Sequence, residues 1–348
     1  MSAVSFDAGP AGPRRAPQYV SIQVLRGVAA LMVVFFHLPG ALGLPDLHIP
    51  VLSGGVDLFF IISGFVMVVS TRDRPRDPRA FLVQRFRRIV PFYWVMTLVM
   101  ALALLVFLGR GSSPGQLVSS LMFVPYLDGA TGFVQPVLGV GWTLNLEILF
   151  YLLFAASMGF GAWRQLAALG AVFAALVVAR FVFKPDADTV LFFYTTPMLF
   201  EFLAGMALGH LTGRLARLSV PLAGAAIGLA VVSVLVMVLG SELPRTLAQG
   251  LPALLLVVGC LGLEDYFRRY APRFLIHLGD ASYSLYLTHT IVLLALTPVV
   301  AAAGLSPWIA GAAVVVACVL VSLASYRFIE QPLLALSRRG RAPRRLEA

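Results

Sequence analysis

The sequence predicts an all-α membrane protein, a bundle of about ten transmembrane helices with both termini in the cytoplasm. Of its 348 residues, 59% are hydrophobic and only 12% are charged, whereas soluble domains usually carry about 25% charged residues. The mean hydropathy is +0.90. The chain also divides into apolar stretches of roughly 20 residues, the length that a helix needs to cross a bilayer.

The helices are predicted from these apolar stretches in chain order. The predicted spans are 20–39, 51–70, 90–108, 139–158, 166–182, 191–211, 219–239, 247–263, 279–302 and 307–328. The loop 109–138 contains the segment LVSSLMFVPYL, which we expect to form a re-entrant or interfacial helix. We divide the chain into a disordered cytoplasmic tail, 1–17, a transmembrane domain, 18–332, and a basic cytoplasmic tail, 333–348.

The distribution of basic residues predicts the orientation. With the N-terminus inside, 22 of the 26 Lys and Arg residues fall on the inner side and four on the outer side. This asymmetry is the positive-inside pattern of multi-pass membrane proteins. Because the basic residues lie in short loops between apolar spans, no nucleic-acid partner is expected. Cys260 and Cys318 lie in apolar runs without metal-ligand spacing, and no metal site is predicted.

The first predicted helix carries two ionisable residues, Arg26 and His37. Eleven residues apart, they point about 20° away from each other around the helix and lie about 16 Å apart along it. Ionisable residues inside a membrane helix indicate a functional site. Because the two are too far apart for an ion pair, the spacing favours a long ligand between them.

Two carboxylates are predicted at a depth similar to that of His37. Asp57 lies in the outer half of the second span and Glu147 in the outer half of the fourth. A histidine beside a carboxylate suits a general base, because the carboxylate selects the tautomer and stabilises the imidazolium. The alternative is a buried polar cluster that only ties helices together.

The loop after the second span contains seven arginines, more than orientation requires. Arg85 and Arg88 are three residues apart and share a face of a helix. Their planar guanidinium groups suit phosphate, which predicts an anion site at the inner mouth of the bundle. The alternatives are a topology signal and contact with anionic lipid headgroups.

Further polar residues fall within the predicted spans. Glu201 lies in the sixth, and Ser282, Tyr286 and His289 form one polar stripe on the ninth. We interpret these residues, together with Asn145 of the fourth span, as a lining for a substrate channel. For the stripe on the ninth span, hydrogen bonding between helices is the alternative.

Five motifs in order resemble those of the acyltransferase-3 family of bacterial inner-membrane acyltransferases. They are Arg26-x10-His37, GGVDLFFIISGF at 54–65, the RxxR of Arg85 and Arg88, WTLNLEILFYL at 142–152, and SYSLYLTH at 282–289 with YRFIEQP at 326–332. Together they span nearly the whole chain.

The resemblance implies an enzyme of the bacterial inner membrane that moves an acyl group, usually acetyl, from cytosolic acyl-CoA to a hydroxyl of a sugar or other acceptor. It implies His37 as the essential histidine, Arg26 as its motif partner, and Arg85 and Arg88 on the acyl-CoA side. Acyl-CoA would be a co-substrate, with no permanently bound cofactor.

A mechanistic hypothesis built on these residues adds further expectations. Asp57 or Glu147 would orient His37, while Tyr286, His289 or Asn145 would donate hydrogen bonds to the oxyanion. The partners would be acyl-CoA, a carbohydrate or small-molecule acceptor and membrane lipids. A homodimer and a separate extracytoplasmic partner both stay open, and no fused extracytoplasmic domain is expected.

A second function from a different class is a proton-coupled transporter or exporter of a polysaccharide precursor. In that case His37, Asp57 and Glu147 would form a proton relay. Such a relay needs no phosphate site, and the sequence lacks a strong internal repeat of the kind common in transporters. The acyltransferase is therefore favoured.

Overall fold

The computed structural model describes residues 19–44, 49–72, 77–240 and 243–339. Within these ranges, nine helices are long and apolar enough to cross a membrane, and a bent helix pair would make a tenth. The predicted all-α fold is confirmed, and the chain is a multi-pass membrane protein. The predicted tail 1–17 lies outside the described residues, as does 340–348 of the predicted basic tail.

The helices follow the chain in the predicted order. They are α1 Val20–Ala41, α2 Gly54–Thr71, α3 Pro78–Leu108, α4 Pro114–Leu121, α5 Trp142–Ser157, α6 Ala162–Phe183, α7 Val190–Tyr194, α8 Leu199–Leu215, α9 Val220–Val238, α10 Leu251–Gly262, α11 Glu264–Tyr270, α12 Arg273–Asp280, α13 Ser282–Ala302, α14 Pro307–Ser325 and α15 Gln331–Arg339. Short 3₁₀ turns, Pro50–Ser53 and Gly139–Gly141, precede α2 and α5, and π-helical turns, Thr246–Gly250 and Tyr326–Glu330, precede α10 and α15.

Helix α2 occupies the centre of the bundle. Within the span Pro50–Thr71, 72% of the apolar window is buried, against 11% for the spans of α6 and α9. The outer two helices therefore present most of their surface to lipid. Helix α2 packs closely on α8, because a Cβ at Gly64 or Gly205 would collide with the backbone of the facing helix. Small residues at such crossings let membrane helices approach at backbone distance.

Helix α3 begins twelve residues earlier than the predicted start at residue 90. The Asp77 side chain caps it by accepting hydrogen bonds from the backbone amides of Arg79 and Ala80 at 3.0 and 3.1 Å. The long helix carries Arg85 and Arg88 into the bundle. The apolar window used for prediction missed this start because basic residues lower the local hydropathy.

The segment 109–138 folds as a short helix and a small hairpin. Helix α4 is followed by β1, Leu127–Asp128, and β2, Phe133–Val134, which pair antiparallel. Tyr93 and Trp94 of α3 donate hydrogen bonds to the carbonyl oxygens of Ser120 and Leu121 at the end of α4.

The helical segment Thr246–Gly262, which corresponds to the eighth predicted span, is followed by α11, and the two helices are bent by 72° relative to each other. Glu264, the first residue of α11, accepts hydrogen bonds from the amides of Val20 and Ser21 at 2.8 and 3.0 Å. These amides belong to the first turn of α1, where helix N–H groups have no partner within the helix. The bend thus anchors the inner end of α1.

Candidate active site

A cavity of about 730 Å³ opens among α1, α2, α3, α5, α13 and α15. We call it the first cavity. Helix α2 lines it from Val56 to Ser70, about 21 Å of helix at 1.5 Å per residue. Tyr19 and Ser337 line the inner end, the side on which α1 begins. The cavity is therefore long and runs along the bundle axis.

All three predicted donor-binding arginines line the first cavity. Arg26 donates a hydrogen bond to Gln23 Oε1 at 3.1 Å. Arg85 is only 8% exposed, donates to Ser70 Oγ at 2.9 Å, and lies over the ring of Phe81 at 5.5 Å. The arrangement provides guanidinium groups from two helices at one end of a long cavity, which suits an anionic ligand.

Glu147 lies in the wall of the first cavity, between its two ends. Its Oε1 accepts a hydrogen bond from Ser63 at 2.8 Å and a shorter one from Tyr151. Ser63 is six residues beyond Asp57 on α2, which is about 9 Å further from the outer side. The two carboxylates therefore lie at different depths, contrary to the sequence prediction.

The outer end of the first cavity is formed by Thr143 and Tyr286. The Tyr286 hydroxyl donates to the Val140 carbonyl oxygen at 2.9 Å and lies 2.8 Å from Thr143 Oγ1. Ser282 also lines the cavity and is fully buried. The predicted stripe on α13 therefore places Ser282 and Tyr286 on the channel wall.

His37 lies beyond this outer end and contacts a second histidine. Nδ1 of His37 is 3.3 Å from Nε2 of His289 and 2.9 Å from the Val33 carbonyl oxygen. The His289 ring is 6.1 Å from that of Tyr286, so it lies between the cavity end and His37. His289 is fully buried, whereas His37 is partly exposed.

The hydrogen bonds around the two rings assign their protons. His289 Nδ1 lies 3.1 Å from the Leu285 carbonyl oxygen, which assigns the proton to Nδ1 and makes Nε2 an acceptor. His37 Nδ1 then faces two acceptors, so its proton also lies on Nδ1. This tautomer places the lone pair of His37 on Nε2, and a neutral imidazole with a lone pair is the form that a general base requires.

Asp57 pairs with Arg245 instead of His37. Its Oδ2 lies 2.7 Å from Nη2 of Arg245, and the carboxylate of Glu201 lies beside it. Asp57 is fully buried and Glu201 is 5% exposed. A buried carboxylate is stabilised when paired with a cation, which explains why Asp57 binds the arginine.

Neither predicted carboxylate partners His37, so the expected His–carboxylate pair is corrected to a His–His pair. Depth estimated from helix position cannot say which way a side chain points around the bundle. Asn145 is buried in α5 outside the first cavity's lining, and its Oδ1 has no donor among the described residues.

Sequence reasoning assigned no role to Arg245. The signal that could have identified Arg245 is its position, because it is one of only four Lys and Arg residues on the predicted outer side. A cation there runs against the positive-inside rule and therefore needs a partner, which Asp57 supplies.

Comparison with known families decides the class of the protein. A family model described as an acyltransferase domain, acyltransferase-3, matches residues 19–327. The chain belongs to the acyltransferase-3 family. It is therefore a membrane acyltransferase of the class that transfers groups other than aminoacyl groups.

Curated members of the acyltransferase-3 family resemble it at different levels. The exopolysaccharide production protein ExoZ of Rhizobium meliloti is 41% identical over 305 residues, which cover 85% of this chain and 93% of ExoZ. The peptidoglycan O-acetyltransferase OatA of Listeria monocytogenes is 25% identical, over 92% of this chain and 56% of OatA.

The protein of Bacillus subtilis named "Putative peptidoglycan O-acetyltransferase YrhL" is 27% identical over 89% of this chain and 54% of its own length. The chain thus spans about half the length of YrhL and OatA, and nearly all of ExoZ. No solved structure matches the chain.

Proposed function

We propose that this protein is an O-acyltransferase that moves an acyl group, most simply acetyl, from cytosolic acyl-CoA to a hydroxyl of a carbohydrate. One observation carries the proposal. A single cavity connects an arginine cluster at the inner end with Tyr286 at the outer end, next to the His37–His289 pair.

The two ends of the first cavity match the chemistry of the two ends of acyl-CoA, the proposed acyl donor. Acyl-CoA carries phosphates at one end and a thioester at the end of a long pantetheine arm. Arg85 and Arg88 of α3 and Arg26 of α1 provide guanidinium groups that suit the phosphates. The pantetheine arm would follow α2 and α13 and bring the thioester towards His37. On this proposal Glu147 contributes to the channel wall.

The chemical step uses the basic Nε2 of His37. As the acceptor oxygen attacks the thioester carbonyl carbon, its proton passes to Nε2. The C–S bond then breaks, the CoA sulfur leaves, and the imidazolium returns the proton to it. His289 holds the Nδ1 proton of His37 throughout. On this proposal Asp57 has a positioning role through its ion pair with Arg245.

The carbohydrate acceptor is supported by the relatives rather than by the cavity. ExoZ is named for exopolysaccharide production, and YrhL and OatA are named as peptidoglycan O-acetyltransferases. Two of these names state O-acetyl transfer to peptidoglycan, and the third names an exopolysaccharide. We accordingly place the enzyme in the bacterial inner membrane, with acyl-CoA on the inner side and the acceptor on the outer side.

The test is transfer of radiolabelled acetyl groups from acetyl-CoA to polysaccharide in membranes that contain the protein. We expect the wild type to label the polysaccharide and His37→Ala to lose transfer while keeping its affinity for acetyl-CoA. His210→Ala is the matched control, because His210 is half-buried on α8 and its ring lies 5.8 Å from that of Trp163, outside the cavity. Full transfer by His37→Ala would contradict the proposed mechanism.

A further inference from the structure

A second cavity of about 360 Å³ adjoins the first at the inner side of the bundle. Its volume lies within the range of about 300–1,000 Å³ typical of ligand pockets. Helix α12, the π-helical turn before α15, and α15 itself line it. Close packing of α12 on α1 creates one wall, because a Cβ at Gly279 would collide with the backbone of Gln23.

The two cavities share a wall that contains two arginines. Arg26 and Arg88 line both cavities. Arg88 forms no ion pair within the part of the chain that the structure describes, although it interacts electrostatically with the Glu330 carboxylate of the second cavity. A group with two adjacent phosphates could bind this wall and extend one arm into each cavity.

The polar lining of the second cavity differs from that of the first. Asp280 and Glu330 contribute carboxylates, Gln331 an amide and Tyr326 an aromatic ring. Glu330 accepts a hydrogen bond from Ser284 at 2.7 Å, which holds it in place. With Arg26 and Arg88, the lining carries two positive and two negative groups. This balance disfavours a bare phosphate and favours a ligand that also offers hydroxyls and a base.

Each of these groups suits one part of a nucleoside. A carboxylate such as that of Asp280 accepts a hydrogen bond from a ribose hydroxyl, and the 3′-phosphorylated ribose of coenzyme A keeps its 2′-hydroxyl for this contact. A glutamine amide can pair with the donor and acceptor edge of adenine. An aromatic ring such as that of Tyr326 provides a surface on which a base stacks.

We propose that the second cavity binds the nucleoside end of the acyl-CoA donor. The diphosphate lies at the wall shared by Arg26 and Arg88, and the pantetheine arm occupies the first cavity. This inference rests on the proposed function, because it assigns the parts of the donor to two cavities. It assigns to Asp280 and Gln331 a role in recognising the nucleotide.

The test compares two donors that differ only in the nucleotide. Acetyl-CoA carries it, and S-acetyl-4′-phosphopantetheine lacks it. Affinities are measured by titration calorimetry on purified protein in nanodiscs for the wild type, Asp280→Asn and Gln331→Ala. Asp265→Asn is the matched control, because Asp265 is an exposed carboxylate of α11 outside both cavities.

We expect the wild type to bind acetyl-CoA at least about tenfold more tightly than the truncated donor. Asp280→Asn and Gln331→Ala should each weaken acetyl-CoA binding about three- to tenfold and leave binding of the truncated donor unchanged. The unchanged affinity also shows that the variants are folded, and Asp265→Asn should match the wild type for both donors.

Three results would overturn the assignment. If the wild type binds both donors equally, the second cavity does not recognise the nucleotide, although the proposed function stands. If Asp280→Asn and Gln331→Ala weaken the binding of both donors by the same factor, or weaken the binding of neither donor, Asp280 and Gln331 do not recognise the nucleotide. If the wild type binds neither donor, the proposed acyl-CoA donor fails, and the assignment of the cavities fails with it.

Discussion

At the residue scale, the Nδ1 proton of His37 is held between the Val33 carbonyl oxygen and Nε2 of His289. Removing His289 should release the ring to rotate and to change its tautomer. General base catalysis contributes roughly 10²–10⁴-fold to the rate, and we expect His289→Ala to lower kcat by a smaller factor than this. The KM for acetyl-CoA should stay unchanged. Steady-state kinetics of both variant and wild type measure the two constants separately.

A conservative variant separates this positioning role from a structural one. In His289→Gln the side-chain amide oxygen can still accept a hydrogen bond, so we expect activity between that of the wild type and that of His289→Ala. Equal kcat in all three proteins would show that His289 has no part in positioning His37.

The Asp57–Arg245 pair makes a prediction about stability. Asp57 is fully buried, and Arg245 also donates to the Ser53 carbonyl oxygen at 3.3 Å. Arg245→Ala would leave the buried Asp57 without its cation, and because the Arg245 side chain is 38% exposed, we expect a cost below that of a fully buried ion pair, about 3–5 kcal/mol. We expect a large fall in the melting temperature of the detergent-solubilised protein. Arg217→Ala, a variant at an exposed position, should have the same melting temperature as the wild type.

If Arg245→Ala lowers the melting temperature as little as Arg217→Ala does, Asp57 is neutral or is stabilised by another group. The double variant Arg245→Ala, Asp57→Asn tests this directly, since removal of both charges should recover much of the loss.

At the element scale, the crossing of α2 and α8 depends on glycine. A Cβ at Gly205 would collide with the backbone of Ile61 on α2. We expect Gly205→Ala to force the helices apart and to cost about 1–3 kcal/mol, the usual cost of overpacking. Gly213→Ala is the control on the same helix, because a Cβ there has open space. There alanine should be neutral or slightly stabilising. Equal melting temperatures for the two variants would contradict the close crossing.

The hairpin in segment 109–138 depends on the ionised form of Asp128. Burial raises the pKa of Asp128, but the Arg110 guanidinium at 2.8 Å and the Thr131 hydroxyl at 3.0 Å outweigh it. The pKa of Asp128 therefore lies below its ordinary value. A carboxylate with a lowered folded-state pKa stabilises the fold above about pH 4, and this contribution disappears as the pH falls further.

We expect faster hydrogen exchange in residues 127–134 when the pH falls through this range, after correction for intrinsic rates. Asp128→Asn should already exchange fast at neutral pH and should show little further change on acidification. Identical protection in the variant and the wild type at neutral pH would exclude this role for Asp128.

Hydropathy predicted the elements well because each span must be about 20 residues long and apolar. It missed the start of α3 at Pro78, where the cap of Asp77 rather than hydropathy sets the boundary. It ended the eighth span at residue 263 and predicted no helix after it, because the charged residues of α11, which follows at a bend of 72°, lower the local hydropathy.

At the scale of the whole molecule, the sequence could predict which helix carries each ionisable residue but not which residues meet. Of the four arginines that line the first cavity, Arg26, Arg85 and Arg88 belong to motifs with local spacing, and the sequence analysis predicted these three. Asp57 and Arg245 are 188 positions apart, and His37 and His289 are 252 apart. Such pairs depend on how helices rotate and pack around α2, which no local pattern encodes.

The central claim is that one cavity connects a phosphate-binding end with a catalytic histidine. Acetyl-CoA binding to the purified protein in nanodiscs, compared among wild type, Arg88→Ala and His37→Ala, tests it most directly. The account predicts that Arg88→Ala loses most of the affinity, because its guanidinium faces both cavities, and that His37→Ala retains it. Absence of acetyl-CoA binding by the wild type, or equal binding by all three proteins, would contradict the account.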